Sequence, residues 1–255
     1  MTTDSSAASF KDHFSGVARG YAGFRPRYPA ALFSYLAGIA ADHRLAWDCA
    51  CGSGQATGGL VPHFARVIGT DASAAQVANT EPHPNVEYRV APAEASGLAD
   101  GSVGLVTVAQ ALHWLDLDRF YPEVRRVLAP GGALAAWTYW RVTADDPAVT
   151  ALVDEFYRTP VGPYWPPERK LVEQGYRAIP FPFTELAAPA FEVTADWDLP
   201  ELLGYVRTWS ATTRYVAARG EDPVLAFAPR VAERWGDPAR RRRMTWALGL
   251  RVGRP

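Results

Sequence analysis

Trp47-Asp48-Cys49-Ala50-Cys51-Gly52-Ser53-Gly54-Gln55-Ala56-Thr57 is the stretch on which the reading of this chain turns. The apolar run Leu45-Ala46-Trp47 ends on an acid, a Gly-x-Gly turn follows, and then a segment with helical character. Strand, glycine turn and helix let a backbone approach a nucleotide-like ligand, because glycines bring their amides up without Cβ obstruction. The third glycine of the dinucleotide fingerprint is absent, with Thr57 in its place, and Asp48 is foreign to that fingerprint too. Both departures point away from a pyrophosphate and toward a ligand that carries a positive charge.

Working outward, strands and helices alternate. Residues 45–49, 66–70, 86–90, 103–109 and 133–140 read as strands. Residues 55–64, 73–79 and 117–128 read as the helices between them. The run 103–109 is nearly all apolar, as befits a parallel strand covered on both faces. This spacing calls for a parallel sheet with right-handed crossovers. Upstream, residues 10–21 have helical character, and Pro29 suits the first position of a helix that runs to about residue 41. Beyond Trp140 the pattern changes. Residues 146–158 read as a helix, 159–182 as an ordered aromatic and proline-rich cap, and 191–199 as a strand. Residues 200–235 read as helical with breaks at Gly220 and Pro223, and 245–252 as one final antiparallel strand.

The acids after the early strands fit one ligand. Asp48 lies below the turn, available to an ammonium directly or through water. Asp71 closes the second strand, with Ala72 beside it, and is placed to accept from two ribose hydroxyls. Ala93 and Glu94 follow the third strand and suit a purine, by an amide to a ring nitrogen and a carboxylate to an exocyclic amine. Ammonium, ribose and adenine in that order describe S-adenosylmethionine.

These residues, together with residues 106–114 and Arg126-Val127-Leu128-Ala129-Pro130-Gly131-Gly132, resemble the class I S-adenosylmethionine-dependent methyltransferases. The likeness is to the methyltransferase type 11 or ubiquinone/menaquinone type, close to the fungal trans-aconitate methyltransferases. It covers residues 10–140, with a further match in 205–252. The resemblance implies a Rossmann-like α/β fold. That fold has a seven-stranded, mostly parallel sheet with helices on both faces, an antiparallel last strand and a helical, aromatic cap. It implies that Tyr21 and Arg25 fold over the cofactor and meet its methionine carboxylate. Cofactor contacts are then expected from Tyr21, Arg25, Asp48, Ala50, Gly52, Ser53, Gly54, Asp71, Ala72, Ala93, Glu94 and Gln110. Ala50 departs from the family, which usually has glycine there. We expect a negative φ at Ala50, since a positive one would cost about 1 kcal/mol.

His113 stands just after the fourth strand, at the carboxyl end of the sheet where ligands bind in such folds. It is the candidate base or acceptor contact. Trp114, Trp137, Tyr139, Trp140, Tyr164, Trp165 and Trp209 are candidates to line an acceptor site, since an aromatic cap can enclose a flat or apolar molecule and shut out water. Arg141, Arg207 and Arg214 read as surface charges that double as candidate anchors. Arg240–Arg243 is read as a solvated turn, lacking the broad basic face that nucleic acid requires.

Composition sets the outer bounds. The chain has 255 residues, 48% of them apolar, and a net charge of -1, so no global field recruits nucleic acid or an anionic membrane. No apolar run reaches the ~18 residues of a membrane span, and residues 1–9 lack a signal peptide's apolar core. A cytoplasmic monomer or homodimer is expected. Cys49 and Cys51 lie two residues apart at one strand end, a spacing along extended backbone that is poor geometry for a disulfide, and no ligand spacing suits zinc. The expected organisation is a 1–41 helical segment over the cofactor, a 42–140 core, a 141–188 cap, and 189–255 with a helical insertion at 200–236 that serves as substrate lid. The acceptor is expected to be small, aromatic or a carboxylic acid. The alanine- and arginine-rich usage, typical of a high-GC bacterium, adds specialised metabolism. A nicotinamide-dependent oxidoreductase and a non-catalytic S-adenosylmethionine-binding module are the competing readings.

Overall fold

The computed structural model describes residues 26–255. Its elements begin with α1 (Ala30–Ile39), β1 (Leu45–Cys49), α2 (Gln55–Leu60), β2 (Arg66–Asp71), α3 (Ala74–Val77), β3 (Val86–Val90), β4 (Val103–Ala109), α4 (Leu117–Val127) and β5 (Leu128–Thr138). They continue through β6 (Thr143–Ala144), α5 (Pro147–Arg158), α6 (Arg169–Glu173), β7 (Thr184–Glu185) and β8 (Glu192–Trp197). Last come α7 (Leu199–Arg207), α8 (Ser210–Arg219), α9 (Val224–Trp235), β9 (Arg242–Ala247) and β10 (Gly249–Arg254).

Seven strands form the main sheet in the order β3-β2-β1-β4-β5-β10-β7. The first five run parallel, while β10 is antiparallel to β5 and β7 antiparallel to β10. The order reverses between β1 and β4, which places a ligand crevice at their carboxyl ends. Side-chain alternation on β5 divides the core. Ala133, Ala135 and Trp137 pack with Leu32, Phe33 and Leu36 of α1, whereas Leu134 and Ala136 pack with Phe120 and Val124 of α4. Six of the seven β4 residues are buried for the same reason: helices cover both faces.

A second, three-stranded antiparallel sheet, β6-β9-β8, carries its own core of Val149, Val153, Phe156, Leu202, Val206 and Trp246 under α5, α7 and α9. Helix α7 starts at a reciprocal cap, in which Asp198 accepts from the Glu201 amide and Glu201 from the Asp198 amide. Two expectations change here. The single final strand is in fact two, β9 in the small sheet and β10 in the main one. They are divided at Leu248, whose amide bonds the Phe191 carbonyl at 2.9 Å. The helical stretch also breaks a third time, at Thr208-Trp209.

The arginine run 240–243 is solvated only in part: Arg240, Arg241 and Arg243 are exposed, but Arg242 is not. Strand β9 begins at Arg242, which is only 7% exposed, lies over the Trp235 ring and meets Asp145 and Asp146. Arg243 pairs with Asp196 and Arg241 with Glu201. Both cysteines are free and buried.

Candidate active site

The turn after β1 is built on Asp48, which has no exposed surface. Its two oxygens accept from the Thr57 hydroxyl at 2.6 Å and the Thr107 hydroxyl at 2.8 Å. Burial pushes its carboxyl up to about 6, against the pull of those hydroxyls. The two departures from the dinucleotide fingerprint are therefore one interaction: Thr57, in the third glycine's place, is a donor to Asp48. This corrects the expectation that Asp48 is open to an ammonium directly, because its polar atoms tie β1 to α2 and β4.

Three alternate residues of the turn are left-handed: Ala50 at φ 54°, Gly52 at φ 56° and Gly54 at φ 87°. The negative φ expected at Ala50 is thus overturned, and its Cβ is carried in a region that favours glycine. Gly54 has a second duty. A Cβ there would come within 2.4 Å of the Tyr88 hydroxyl, so this glycine makes room for an aromatic ring of β3. A Cβ on Gly52 would meet nothing closer than the Gln76 side chain at 3.9 Å.

Asp71 ends β2 facing that turn. One carboxylate oxygen accepts from the Gly52 amide at 2.9 Å and the other from the Ser73 amide at 2.8 Å. A carboxylate has about four acceptor positions, so two remain for further donors such as a ribose diol. Ala72 beside it is half-buried, Ala93 is buried, and Glu94 is half-buried near the Asp116 amide. Ser53 is exposed at the top of the turn. These groups fit a nucleoside with a charged tail. Tyr21 and Arg25 lie outside the described residues.

Gln110 follows β4 with φ 59°, and its side chain is turned to the end of β5. The amide nitrogen donates to the Tyr139 carbonyl at 3.1 Å and the amide oxygen accepts from the Thr138 hydroxyl at 2.7 Å. His113 lies in a short 3-10 turn, Leu112–Trp114, its ring 4.6 Å from that of Trp114. Its Nδ1 is 2.9 Å from the hydroxyl of Tyr176, a fully buried residue that is itself left-handed at φ 65°. Burial, with the Arg169 charge nearby, lowers His113 to about 3, so the ring is neutral at physiological pH.

The aromatic candidates divide. Trp137 has no exposed surface and packs against Tyr28 and Phe33, because odd positions of β5 face α1; it is core and does not line an acceptor site. Tyr139 is also core, packed against Tyr28 and Trp246. Trp140, Trp165 and Trp209 gather around Tyr157, with ring centroids 6.2, 4.8 and 5.5 Å away, Trp209 being buried and the other two half-buried. Tyr164 sits apart, against Tyr215. Arg169, which the sequence reading missed, stacks 4.3 Å over Trp165 and donates to the Tyr157 hydroxyl at 2.7 Å. Arg141 and Arg207 are held by Asp154 and Asp222.

Comparisons with known proteins agree with this geometry. Residues 47–136 match the family described as a methyltransferase domain. A Dictyostelium discoideum protein named as a methyltransferase is 36% identical over 216 residues, which are 84% of this chain and 82% of that protein. The solved structure of an Anaeromyxobacter dehalogenans protein named as a type II methyltransferase is 48% identical, with a TM-score of 0.86, covering 91% of this chain and 98% of that one. A Saccharomyces cerevisiae protein named as an S-adenosylmethionine-dependent methyltransferase is 33% identical over 128 residues, 47% of this chain and 44% of that one.

Proposed function

The chain belongs to the class I S-adenosylmethionine-dependent methyltransferases, and from that premise we propose that it methylates an oxygen, nitrogen or carboxylate of a small organic acceptor in cytoplasmic specialised metabolism. When bound, S-adenosylmethionine supplies a methyl carbon activated by its sulfonium. The chain's task is to hold that donor, align the acceptor with it and keep water out, and proximity alone is worth several kcal/mol.

The observation that carries this reading is the Asp71 carboxylate, anchored by two amides from two different turns. Its remaining lone pairs receive the ribose hydroxyls. Asp48, Ala50, Gly52, Ser53 and Gly54 surround the methionine part, with Asp48 contributing its field from below. Ala72 lies beside the ribose, and Ala93 and Glu94 take the adenine. On the acceptor side we assign His113, Trp114, Trp140 and Trp165, under a cap of residues 141–188 and a lid formed by residues 200–236.

Titration calorimetry tests the reading. S-adenosylmethionine and S-adenosylhomocysteine bind and NAD does not. Asp71→Ala weakens S-adenosylmethionine about 100-fold, the loss of roughly 3 kcal/mol expected for two charge-assisted hydrogen bonds. Tight NAD binding without S-adenosylmethionine binding overturns the assignment, and unchanged affinity in Asp71→Ala removes the ribose role.

A further inference from the structure

Arginines in the second half of the chain mostly meet an acid. Arg141 spends its fork on Asp154, and Arg207 donates to Asp222. Among the described residues, Arg169 and Arg214 are the half-buried arginines that form no ion pair. Of these, Arg169 is the one stacked on aromatic rings. A cation withdrawn from water is costly to leave unpaired, so an arginine of this kind calls for an anion.

The guanidinium is held in a set plane. Trp165 donates its indole N–H to the Tyr157 carbonyl at 3.2 Å, and the two rings lie 4.8 Å apart. The Arg169 guanidinium carbon sits 4.3 Å from the Trp165 ring centre and 5.3 Å from that of Tyr157. A carboxylate only accepts, so the Tyr157 hydroxyl gives its proton to Glu173. The phenol oxygen is then the acceptor for Arg169 Nε–H, at 2.7 Å. Both Nη groups of Arg169 lack an acceptor among the described residues. Arg169 opens α6, where the Leu171 carbonyl accepts from the Tyr176 amide at 2.9 Å. The Tyr176 hydroxyl is in turn 2.9 Å from His113. Tyr157 also meets Trp140, just past the end of β5. The unpaired cation therefore stands beside the aromatic groups at the carboxyl end of the main sheet.

We propose that Arg169 is a specificity-determining residue of the acceptor site, whose Nη edge grips an anionic group, carboxylate or phosphate, that the acceptor carries as a handle. The inference rests on the assignment of Trp140 and Trp165 to the acceptor side and deepens it. Parallel N–H groups of a guanidinium match two oxygens of one anion. Rings on its face keep water from screening that attraction as bulk solvent would. With Nε fixed by Tyr157, the anion is received from one direction, and the rest of the acceptor lies against the half-buried faces of Trp140 and Trp165. A protonated amine is repelled at the same edge, so the site discriminates by charge as well as by shape.

The test uses simple probes in place of the natural acceptor. Benzoate and phenyl phosphate, with benzamide and benzylamine as neutral and cationic counterparts, are titrated into the protein with and without S-adenosylhomocysteine. Nuclear magnetic resonance reads affinity from the tryptophan indole signals and contact from the Arg169 Nε–H signal, assigned by its loss in Arg169→Lys. At least one anion should move the Arg169 signal and bind about tenfold tighter than benzamide, as charge-assisted hydrogen bonds require, with benzylamine the weakest. Whichever anion binds tighter identifies the handle as carboxylate or phosphate. Arg169→Gln abolishes the preference, and Arg169→Lys retains part of it, since the charge stays and the fork is lost. Arg44→Gln, which removes an equal charge before the amino end of β1, leaves it intact. Affinity indifferent to charge in the native protein, a preference that survives Arg169→Gln, or one that Arg44→Gln also abolishes overturns the proposal. Calorimetry with S-adenosylmethionine on the same samples keeps the two readings apart. Anion preference without S-adenosylmethionine binding sinks the function alone, and S-adenosylmethionine binding without anion preference sinks this inference alone.

Discussion

The carboxyl end of the main sheet and the three-stranded sheet treat their acids in opposite ways. Around the small sheet Asp145, Asp146 and Asp196 each meet an arginine. Asp146 is held below the usual carboxylate range by Arg234, and Asp196 by Arg243. Arg242 runs between Asp145 and Asp146. In the main sheet Asp48 is buried against Thr57 and Thr107, with no cation paired to it among the described residues, and burial raises its pKa. Paired charges of the first kind are self-contained and serve the framework. An acid kept without a cation costs stability, and such groups cluster where a protein meets a ligand.

The largest effect that sharpens this contrast is expected at Arg242→Ala. Truncation removes the cation from Asp145 and Asp146 and its packing over Trp235, and should lower the unfolding free energy by about 3 kcal/mol. Affinity for S-adenosylmethionine should not change. Urea unfolding and calorimetry check both halves, and an affinity loss with intact stability would break the contrast.

Asp48→Asn should act in the reverse sense. Because the folded pKa lies above that of an unfolded aspartate, Asp48 contributes stability below about pH 4 and loses it as pH rises through about 6. Asparagine keeps an acceptor for one threonine and a donor for the other without the buried charge. At pH 7.5 the variant should be more stable than the native protein, by on the order of 2 kcal/mol, and the gap should close near pH 4. S-adenosylmethionine binding should weaken at the same time. A variant less stable than the native protein at pH 7.5 would mean that the charge serves the framework after all.

The contrast also marks where the sequence was legible. Strand β4 announces itself because a covered parallel strand must be apolar throughout, and β1 because the glycine turn after it has few substitutes. The change of sheet between β9 and β10 is silent, since Trp246, Leu248, Leu250 and Val252 keep one unbroken alternation across it. Gly249 was the available signal: a Cβ there would lie 2.6 Å from Gly175 Cα. The arginine run looked solvated because two of the acids it meets, Asp145 and Asp146, lie about a hundred residues earlier. In the site, the motif located the turn and Asp71, but side-chain direction depended on partners no local pattern reveals. Thr57 answers Asp48, Tyr88 fills the space over Gly54, and Gln110 turns to β5 because Thr138 and Tyr139 wait there.

The smallest expected effect tests the turn itself. Ala50 holds φ 54°, where a Cβ crowds the following carbonyl, so Ala50→Gly relieves a strain of roughly 1 kcal/mol. Glycine also loosens the unfolded chain, which returns part of that gain, so the net stabilisation should be about 0.5 kcal/mol. Only the second term should appear if Ala50 were relaxed, and the variant would then be less stable. Urea unfolding of native protein and variant, with and without S-adenosylmethionine, separates these outcomes. Because Asp71 already pins the turn through the Gly52 amide, the relief should leave the cofactor's affinity within about twofold of native, a difference below roughly 0.4 kcal/mol. A larger gain in affinity would mean that the alanine methyl narrows the cofactor's approach as well as straining the backbone.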